Sequence, residues 1–73
     1  MTLEEYRASL VWSANELARR AKVSPRTVAR IEKGEPVYLH TVAAIAKALS
    51  KGLGRTVTVR DIDGVNIIKR GGA

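Results

Sequence analysis

The chain has 73 residues, 45% of them hydrophobic and 4% aromatic, with no Cys, one His and a formal net charge of +6. A chain of this length holds one domain with one small core, and its lack of Cys excludes disulfide bonds and a Cys/His zinc site as sources of stability. No apolar run approaches the ~20 residues of a membrane span, no cluster of ligating residues predicts a metal or cofactor, and the positive charge favours a polyanionic partner.

The first predicted element is a helix from Leu3 to Leu10. Thr2 and Glu5 have the spacing of a capping box, in which each side chain accepts a hydrogen bond from the other residue's backbone N–H. Apolar residues then recur at helical spacing. The scarcity of aromatic residues predicts an all-α fold, a compact bundle of four to five short helices with an extended C-terminal tail.

A second helix is predicted to begin after Ser13 and to end at Ala21. Ser13 and Glu16 form a second potential capping box. Trp12 and Leu17 occupy the two positions of a hydrophobic staple, which is an apolar contact across the start of a helix. Trp12 is therefore interpreted as a core residue rather than a platform on which bases stack.

The third predicted helix runs from Pro25 to Lys33. Ser24 is a favourable N-cap, and Pro25 suits the first helical position because a missing N–H costs nothing there. Gly34 is expected to end the helix. The connection to the second helix is short enough to force an angled pair of helices.

A fourth helix is predicted from about Thr41 to Lys51, after a loop over Glu35–Leu39. Apolar residues in this stretch recur at helical spacing, and its alanines allow neighbouring helices to approach closely. Gly52 is expected to end this helix.

The following stretch admits two structures. Thr56–Val59 alternates in the manner of a strand, whereas Thr58 with Asp61 resembles a helix cap. We favour one helical turn over Val59–Ile62, followed by a turn at Asp63–Gly64. Asp61 and Asp63 are interpreted as cap and turn residues rather than as a catalytic carboxylate pair.

Residues 1–64 are predicted to form the domain and residues 65–73 an apolar tail with a frayed end over Arg70–Ala73. The apolar side chains of this tail are Val65, Ile67 and Ile68. They either cover the domain's own core or contact a second chain as an exposed apolar edge. The small core favours the second alternative, a homodimer.

The stretch from Ser13 to Gly34 resembles the Xre/Cro family of phage and bacterial repressors, whose members bind DNA through a helix-turn-helix. The matching features are Leu17-Ala18, the turn exit Val23-Ser24, the apolar pair Val28 and Ile31, and the ending Ile31-Glu32-Lys33-Gly34. The resemblance extends from about Leu3 to Leu53. One position departs from the family, because Lys22 stands where a glycine with a left-handed backbone is usual.

The resemblance implies that the third helix lies in the major groove with its outward residues against base edges. The implied base-reading residues are Pro25, Arg26, Thr27 and Arg30. Arginine can bind the O6 and N7 acceptors of guanine with two hydrogen bonds, so Arg26 and Arg30 are the strongest candidates. Arg19 and Arg20 are interpreted as part of a solvated face.

Other residues are implied to hold the protein on the DNA backbone or to hold its helices together. The implied phosphate contacts are Ser13, Ala14, Asn15, Lys33, Tyr38 and His40. Such contacts fix the register without reading the sequence. Arg7 and Glu32 correspond to an ion pair that joins the first helix to the end of the third in several relatives.

The sequence therefore predicts a cytoplasmic, sequence-specific binder of double-stranded DNA, a small prokaryotic or phage transcriptional regulator that acts as a homodimer. An alternative is a protein-interaction module, an antitoxin or an adaptor, that binds a partner protein through its apolar tail. An enzyme is least favoured, because no nucleophile, base or metal cluster converges in the sequence.

Overall fold

A computed structural model describes residues 1–68 of the chain. Its elements are α1 (Leu3–Leu10), α2 (Ala14–Ala21), α3 (Pro25–Glu32), β1 (Pro36–Val37), α4 (Leu39–Leu53), a 3₁₀ helix (Val59–Asp61) and β2 (Asn66–Ile67). The predicted helical class is confirmed, since each strand has only 2 residues. The predicted frayed end, Arg70–Ala73, lies outside the described residues.

Hydroxyl side chains begin the first three helices at the predicted positions. Thr2 and Glu5 form both halves of the capping box. Ser13 Oγ accepts a hydrogen bond from the Glu16 N–H at 3.0 Å, and Ser24 Oγ caps α3 in the same way. The hydrogen bond from the Ser13 N–H to the Glu16 carboxylate, which would complete the second capping box, is a wrong prediction. The Glu16 carboxylate instead accepts from the guanidinium groups of Arg19 and Arg20, which are stronger partners than a neutral N–H.

The same left-handed turn ends each of these helices. Val11, Lys22 and Gly34 have φ values of 57°, 60° and 79°. After α3, the N–H groups of Gly34 and Glu35 donate back to helix carbonyls, which is a Schellman motif, and the helix ends one residue before the predicted Lys33. Lys22 thus has the left-handed backbone for which the family usually has glycine. Val11 is β-branched, so this conformation is disfavoured for it, and its side chain is exposed to solvent.

The fourth helix is longer than predicted at both ends. It begins at Leu39, because the Tyr38 carbonyl already accepts hydrogen bonds from the first helical turn. It also continues through Gly52 to Leu53 and is capped by Gly54, whose φ is 70°. Gly52 serves packing instead of termination, since a Cβ there would lie 2.5 Å from Cη2 of Trp12. Trp12 itself is half-buried against the core, in agreement with its interpretation as a core residue.

The core lies between the four helices and is built from aliphatic side chains. Its largest fully buried members are Leu3, Leu17, Val28, Val42, Ile45 and Leu49. Tyr6 joins them, and its hydroxyl donates to the Asp61 carbonyl at 3.3 Å. Within residues 1–68, every buried side-chain nitrogen or oxygen has a hydrogen-bond partner. Packing of the four helices thus fixes the orientation of α3.

The segment predicted as a loop after α3 contains a strand. Pro36 and Val37 pair in parallel with Asn66 and Ile67, and the Ile68 N–H donates to the Val37 carbonyl at 2.8 Å. Val65 and Ile67 pack against the core, so the tail covers the domain that carries it. A contact of Val65, Ile67 and Ile68 with a second copy stays a prediction.

The stretch between α4 and β2 adopts the helical alternative. Thr58 and Asp61 form the predicted cap, although the 3₁₀ helix ends one residue earlier, at Asp61. The strand alternative for Thr56–Val59 is wrong. A turn with Gly64 at φ 79° follows, and the Asp63 N–H donates to the Met1 carbonyl at 2.8 Å.

Ser50 attaches the C-terminal segment to α4. Its Oγ accepts from the Val57 N–H at 2.8 Å and lies 2.8 Å from the Ala46 carbonyl and 3.1 Å from the Val57 carbonyl. The single hydroxyl proton is shared between these two carbonyls. Val57 is buried, so water cannot easily reach its N–H and replace the Ser50 hydroxyl as hydrogen-bond acceptor.

We expect Ser50→Ala to destabilise the fold by about 1–3 kcal/mol, because it leaves the buried Val57 N–H without a partner. The melting temperature should fall by roughly 4–8 °C for each kcal/mol in a domain of this size. Thermal unfolding followed by circular dichroism measures the change. Ser9→Ala, on the exposed side of α1, is the matched control and should melt like the parent chain.

Candidate nucleic-acid interface

The outward side of α3 presents the predicted base-reading residues. Pro25, Arg26 and Arg30 are exposed, and Thr27 is half-buried. The opposite side of the helix is anchored by Val28 and Ile31, which are buried at 0% and 2% exposure. We call Pro25, Arg26, Thr27 and Arg30 the reading face.

Arg26 is the cation of the reading face that is free to bind a ligand. It forms no ion pair with any residue in the described range 1–68. It lines a shallow depression together with Arg30, Lys33 and Glu35. The positive charges of α3 are therefore gathered along one side of the helix, where a phosphate or a guanine edge would meet them.

Arg30, by contrast, is held by its own chain. Its Nε donates to Glu35 Oε1 at 3.2 Å, and one terminal nitrogen lies 3.5 Å from the Pro36 carbonyl. The side chains of Arg30 and Glu35 are 49% and 46% exposed, so solvent screens the pair and it is weak. Any ligand of Arg30 must therefore compete with Glu35, whereas Arg26 has no such competing ion pair among residues 1–68.

The pairing with Glu35 was not anticipated from the sequence. Five residues separate the partners, which is outside the spacing at which helical side chains meet. The left-handed turn at Gly34 brings the chain back toward α3 and places Glu35 beside Arg30. A helix followed by glycine and then an acidic residue is the signal that could have indicated it.

A second depression borders the reading face on the side of α4. Thr27 and Arg30 line it together with Tyr38 and Thr41. The rings of Tyr38 and His40 stack, with centroids 5.7 Å apart and planes 14° from parallel. Two predicted phosphate contacts, Tyr38 and His40, are thus brought together, and Tyr38 borders the reading face.

The hydroxyl of Thr27 is engaged within α3. Its Oγ1 lies 2.9 Å from Ser24 Oγ, and Thr27 also donates its backbone N–H to that oxygen. Either hydroxyl can be the donor of this hydrogen bond, so the Thr27 hydroxyl keeps a free lone pair or its own proton for a further hydrogen bond.

The first turn of α2 contains the other predicted phosphate contacts, Ser13, Ala14 and Asn15. Backbone N–H groups in a first helical turn have no partner within the helix, and the helix dipole favours an anion there. Glu16 would oppose an anion at this position. Arg19 Nη2 and Arg20 Nε lie 2.5 Å and 2.7 Å from its two carboxylate oxygens and neutralise it.

Arg20 and Arg19 hold the pKa of the Glu16 carboxyl below its usual value, mainly through their hydrogen bonds to it. Both arginines are more than half exposed, as expected for residues of a solvated face. Arg20 also lies over the ring of Trp12, with its guanidinium carbon 4.6 Å from the centroid. Their charges are thus committed to contacts within the domain.

We expect the contribution of Glu16 to stability to disappear in acid. A carboxyl with a lowered pKa in the folded state stabilises the fold above its ordinary value of 4.5 and loses this effect as the pH falls through the folded pKa. Glu16→Gln should therefore have a lower melting temperature than the parent chain at pH 7. This gap between the two melting temperatures should disappear as the pH falls below 4.5.

Melting curves over this pH range, at low and at high salt, measure that gap. Because the ion pairs are exposed, added salt should narrow the gap at pH 7. A gap of constant size at every pH would contradict the role given to the Glu16 carboxylate.

Arg7 and Glu32 form the most specific polar contact that holds α3 in place. Arg7 Nε and Nη2 donate to the two Glu32 carboxylate oxygens at 2.6 Å and 3.0 Å, and Nη1 donates to the Trp12 carbonyl at 3.1 Å. Both side chains are only 17% exposed. The hydrogen bonds that Arg7 donates to Glu32 raise the pKa of Arg7. The pair ties α1, and the corner before α2, to the end of α3.

Residues 1–68 contain no cluster of His, Asp or Glu side chains that could hold a metal ion, and no helix among them has the length and hydropathy needed to cross a membrane. A family model described as helix-turn-helix matches residues 3–55, well over half of the chain. No curated protein and no solved structure matches the sequence.

Proposed function

Because the chain belongs to the Xre/Cro-type helix-turn-helix family of DNA-binding regulators, we propose that it recognises a specific operator with α3 in the major groove. In this proposal it acts in the cytoplasm as a small prokaryotic or phage transcriptional regulator. The observation that carries the proposal is the reading face. Arg26 is exposed and unpaired among residues 1–68, on a helix whose other side is buried in the core.

The proposed binding combines two kinds of contact. The first turn of α2, Lys33 and the stacked Tyr38 and His40 contact phosphates and set the position of α3 on the duplex. Arg26 and Arg30 then meet base edges, and each contact with two hydrogen bonds contributes about 1–3 kcal/mol of discrimination. The net charge of +6 adds an attraction that does not depend on base sequence.

We propose that the operator is read by a homodimer. Two domains related by a two-fold axis would place their reading faces about 34 Å apart, one turn of DNA. Among residues 1–68, β1 and β2 form a two-stranded sheet, and the outer edge of β2 is the place at which we propose that a second copy pairs. Val65, Ile67 and Ile68 lie at this sheet and are the proposed contact.

Selection of bound sites from random duplex DNA tests the proposal. We expect one sequence, a palindrome if the protein is a dimer, to bind about 10³-fold or more tightly than random competitor DNA at physiological salt. Native mass spectrometry of the complex gives the number of protein copies. Binding that depends on salt but not on sequence would show a basic surface only and would contradict operator recognition.

A further inference from the structure

A second basic surface lies between α2 and α4. Its walls are the exposed cations Arg20, Lys22, Lys47 and Lys51, and its floor contains Ala44 and Ala48. We call it the lysine groove. It shares no lining residue with the depressions beside the reading face.

The cations of the lysine groove outnumber the acids that could neutralise them. Arg20 pairs with Glu16, but Lys22, Lys47 and Lys51 form no ion pair with any residue from 1 to 68. Like charges gathered on one surface repel each other, and an anionic partner relieves that repulsion. The groove is therefore complementary to negative charge.

The floor of the groove distinguishes an acidic protein from a nucleic acid. Ala44 and Ala48 lie one helical turn apart along α4, and their small side chains leave a shallow apolar floor that is bordered by lysines and ends where Trp12 covers Gly52. Phosphate groups would meet the lysines but would not cover the apolar floor, to which a nucleic-acid backbone offers only its sugar C–H groups. A protein helix with acidic residues beside a narrow apolar stripe supplies both chemistries.

The spacing of the cations agrees with a helix as the occupant. The open floor from Ala44 to Ala48 extends over about 6 Å, one turn of a helix, and Trp12 closes the groove at Gly52. Lys47 and Lys51 are spaced by one turn, the spacing at which glutamates of a docked helix would meet them. Small residues on the floor allow the two helix axes to approach closely.

We propose that the lysine groove is a docking site for an acidic, amphipathic helix of a partner protein. This site is separate from the DNA-binding surface, so the domain can contact a protein while it occupies an operator.

Trp12 provides a direct measurement of docking. It is the single Trp of the chain and lies at one end of the groove, beside Arg20 and Gly52. The probe is a synthetic helical peptide of about 15 residues without aromatic residues, with Glu at every fourth position and Ala and Leu beside them. We expect titration with this peptide to change the Trp12 emission and to shift the amide resonances of Ala44 and Ala48.

The charge-reversed variant Lys47→Glu/Lys51→Glu should bind this peptide about tenfold more weakly, and Lys47→Gln/Lys51→Gln should show a smaller loss. Arg55→Glu/Arg60→Glu changes the net charge equally outside the groove and is the matched control. Circular dichroism checks that each variant is folded. The charge-reversed groove variant should lose no more affinity for the selected operator than Arg55→Glu/Arg60→Glu, which removes the same net charge.

Four results would overturn the proposal. The first is an unchanged Trp12 signal, and the second is equal weakening of peptide binding by the groove and control variants. The third is equal binding of a peptide with Gln in place of each Glu, because the lysines would then have no role. The fourth is displacement of the peptide by duplex DNA that lacks the operator, which would assign the groove to nucleic acid.

Discussion

Glu32→Ala is expected to lower the free energy of unfolding by about 3 kcal/mol, near the lower end of the range for a broken ion pair that is largely buried. Arg7 would lose both hydrogen bonds to the carboxylate and would keep only the one to the Trp12 carbonyl. A chain of this size has a total stability of roughly 4–11 kcal/mol, so the loss is a large fraction of it. The melting temperature should fall by about 12–24 °C.

Replacing both partners of the ion pair distinguishes the loss of the contact from the cost of leaving one charge unpaired. In Arg7→Met/Glu32→Leu no charge is left without its partner, so this double variant should recover part of the lost stability. It does not recover all of it, because the Trp12 carbonyl also loses its donor. An unaltered melting temperature in Glu32→Ala would remove the structural role of the pair.

Local patterns in the sequence were sufficient to predict the first three helices. Thr2, Ser13 and Ser24 each cap a helix through a backbone N–H three residues later, and this interaction depends only on nearby residues. The turn at Lys22 followed from the resemblance to the family, and its left-handed backbone supports that comparison. The exposure of Arg26 followed from the helical spacing of Val28 and Ile31, which places it on the outward side.

The errors arose where distant parts of the chain meet. Pro36-Val37 has no strand pattern of its own, and it becomes a strand only because Asn66-Ile67 lies beside it. Gly52 was predicted to end a helix because glycine usually does so, whereas here it makes room for Trp12, forty residues earlier in the sequence. Such pairings depend on tertiary packing, which short-range patterns do not contain.

The position of the C-terminal tail bears on the two functions predicted from the sequence, DNA recognition and binding of a partner protein through the tail. A partner protein that needed the side chains of Val65, Ile67 and Ile68 would displace contacts that the tail already makes with β1 and the core, whereas a second copy that pairs with the backbone edge of β2 would leave them in place. DNA recognition through α3 needs no such rearrangement. The apolar tail therefore favours neither an antitoxin nor an adaptor, and an acidic protein partner is better accommodated by the lysine groove.

Arg26→Ala is expected to relax operator preference by about 1–3 kcal/mol at the base pair that Arg26 reads, which is roughly 5-fold to 150-fold. The fold should be unaffected, because the side chain is exposed and makes no ion pair within residues 1–68. Competition between the selected operator and single-base variants measures the change. Lys33→Ala is the control for a phosphate contact. It should weaken binding to all DNA sequences alike and reduce the slope of log affinity against log salt concentration by about one.

Arg30→Ala should have a smaller effect than Arg26→Ala, and Glu35 explains why. In the free protein Arg30 already has a carboxylate partner at 3.2 Å, so part of its contact energy with a base is spent on leaving that partner. Glu35→Gln weakens this competition, and we expect it to strengthen binding to operator and to non-specific duplex. If both Arg26→Ala and Arg30→Ala kept the operator preference of the parent chain, α3 would not be the recognition helix.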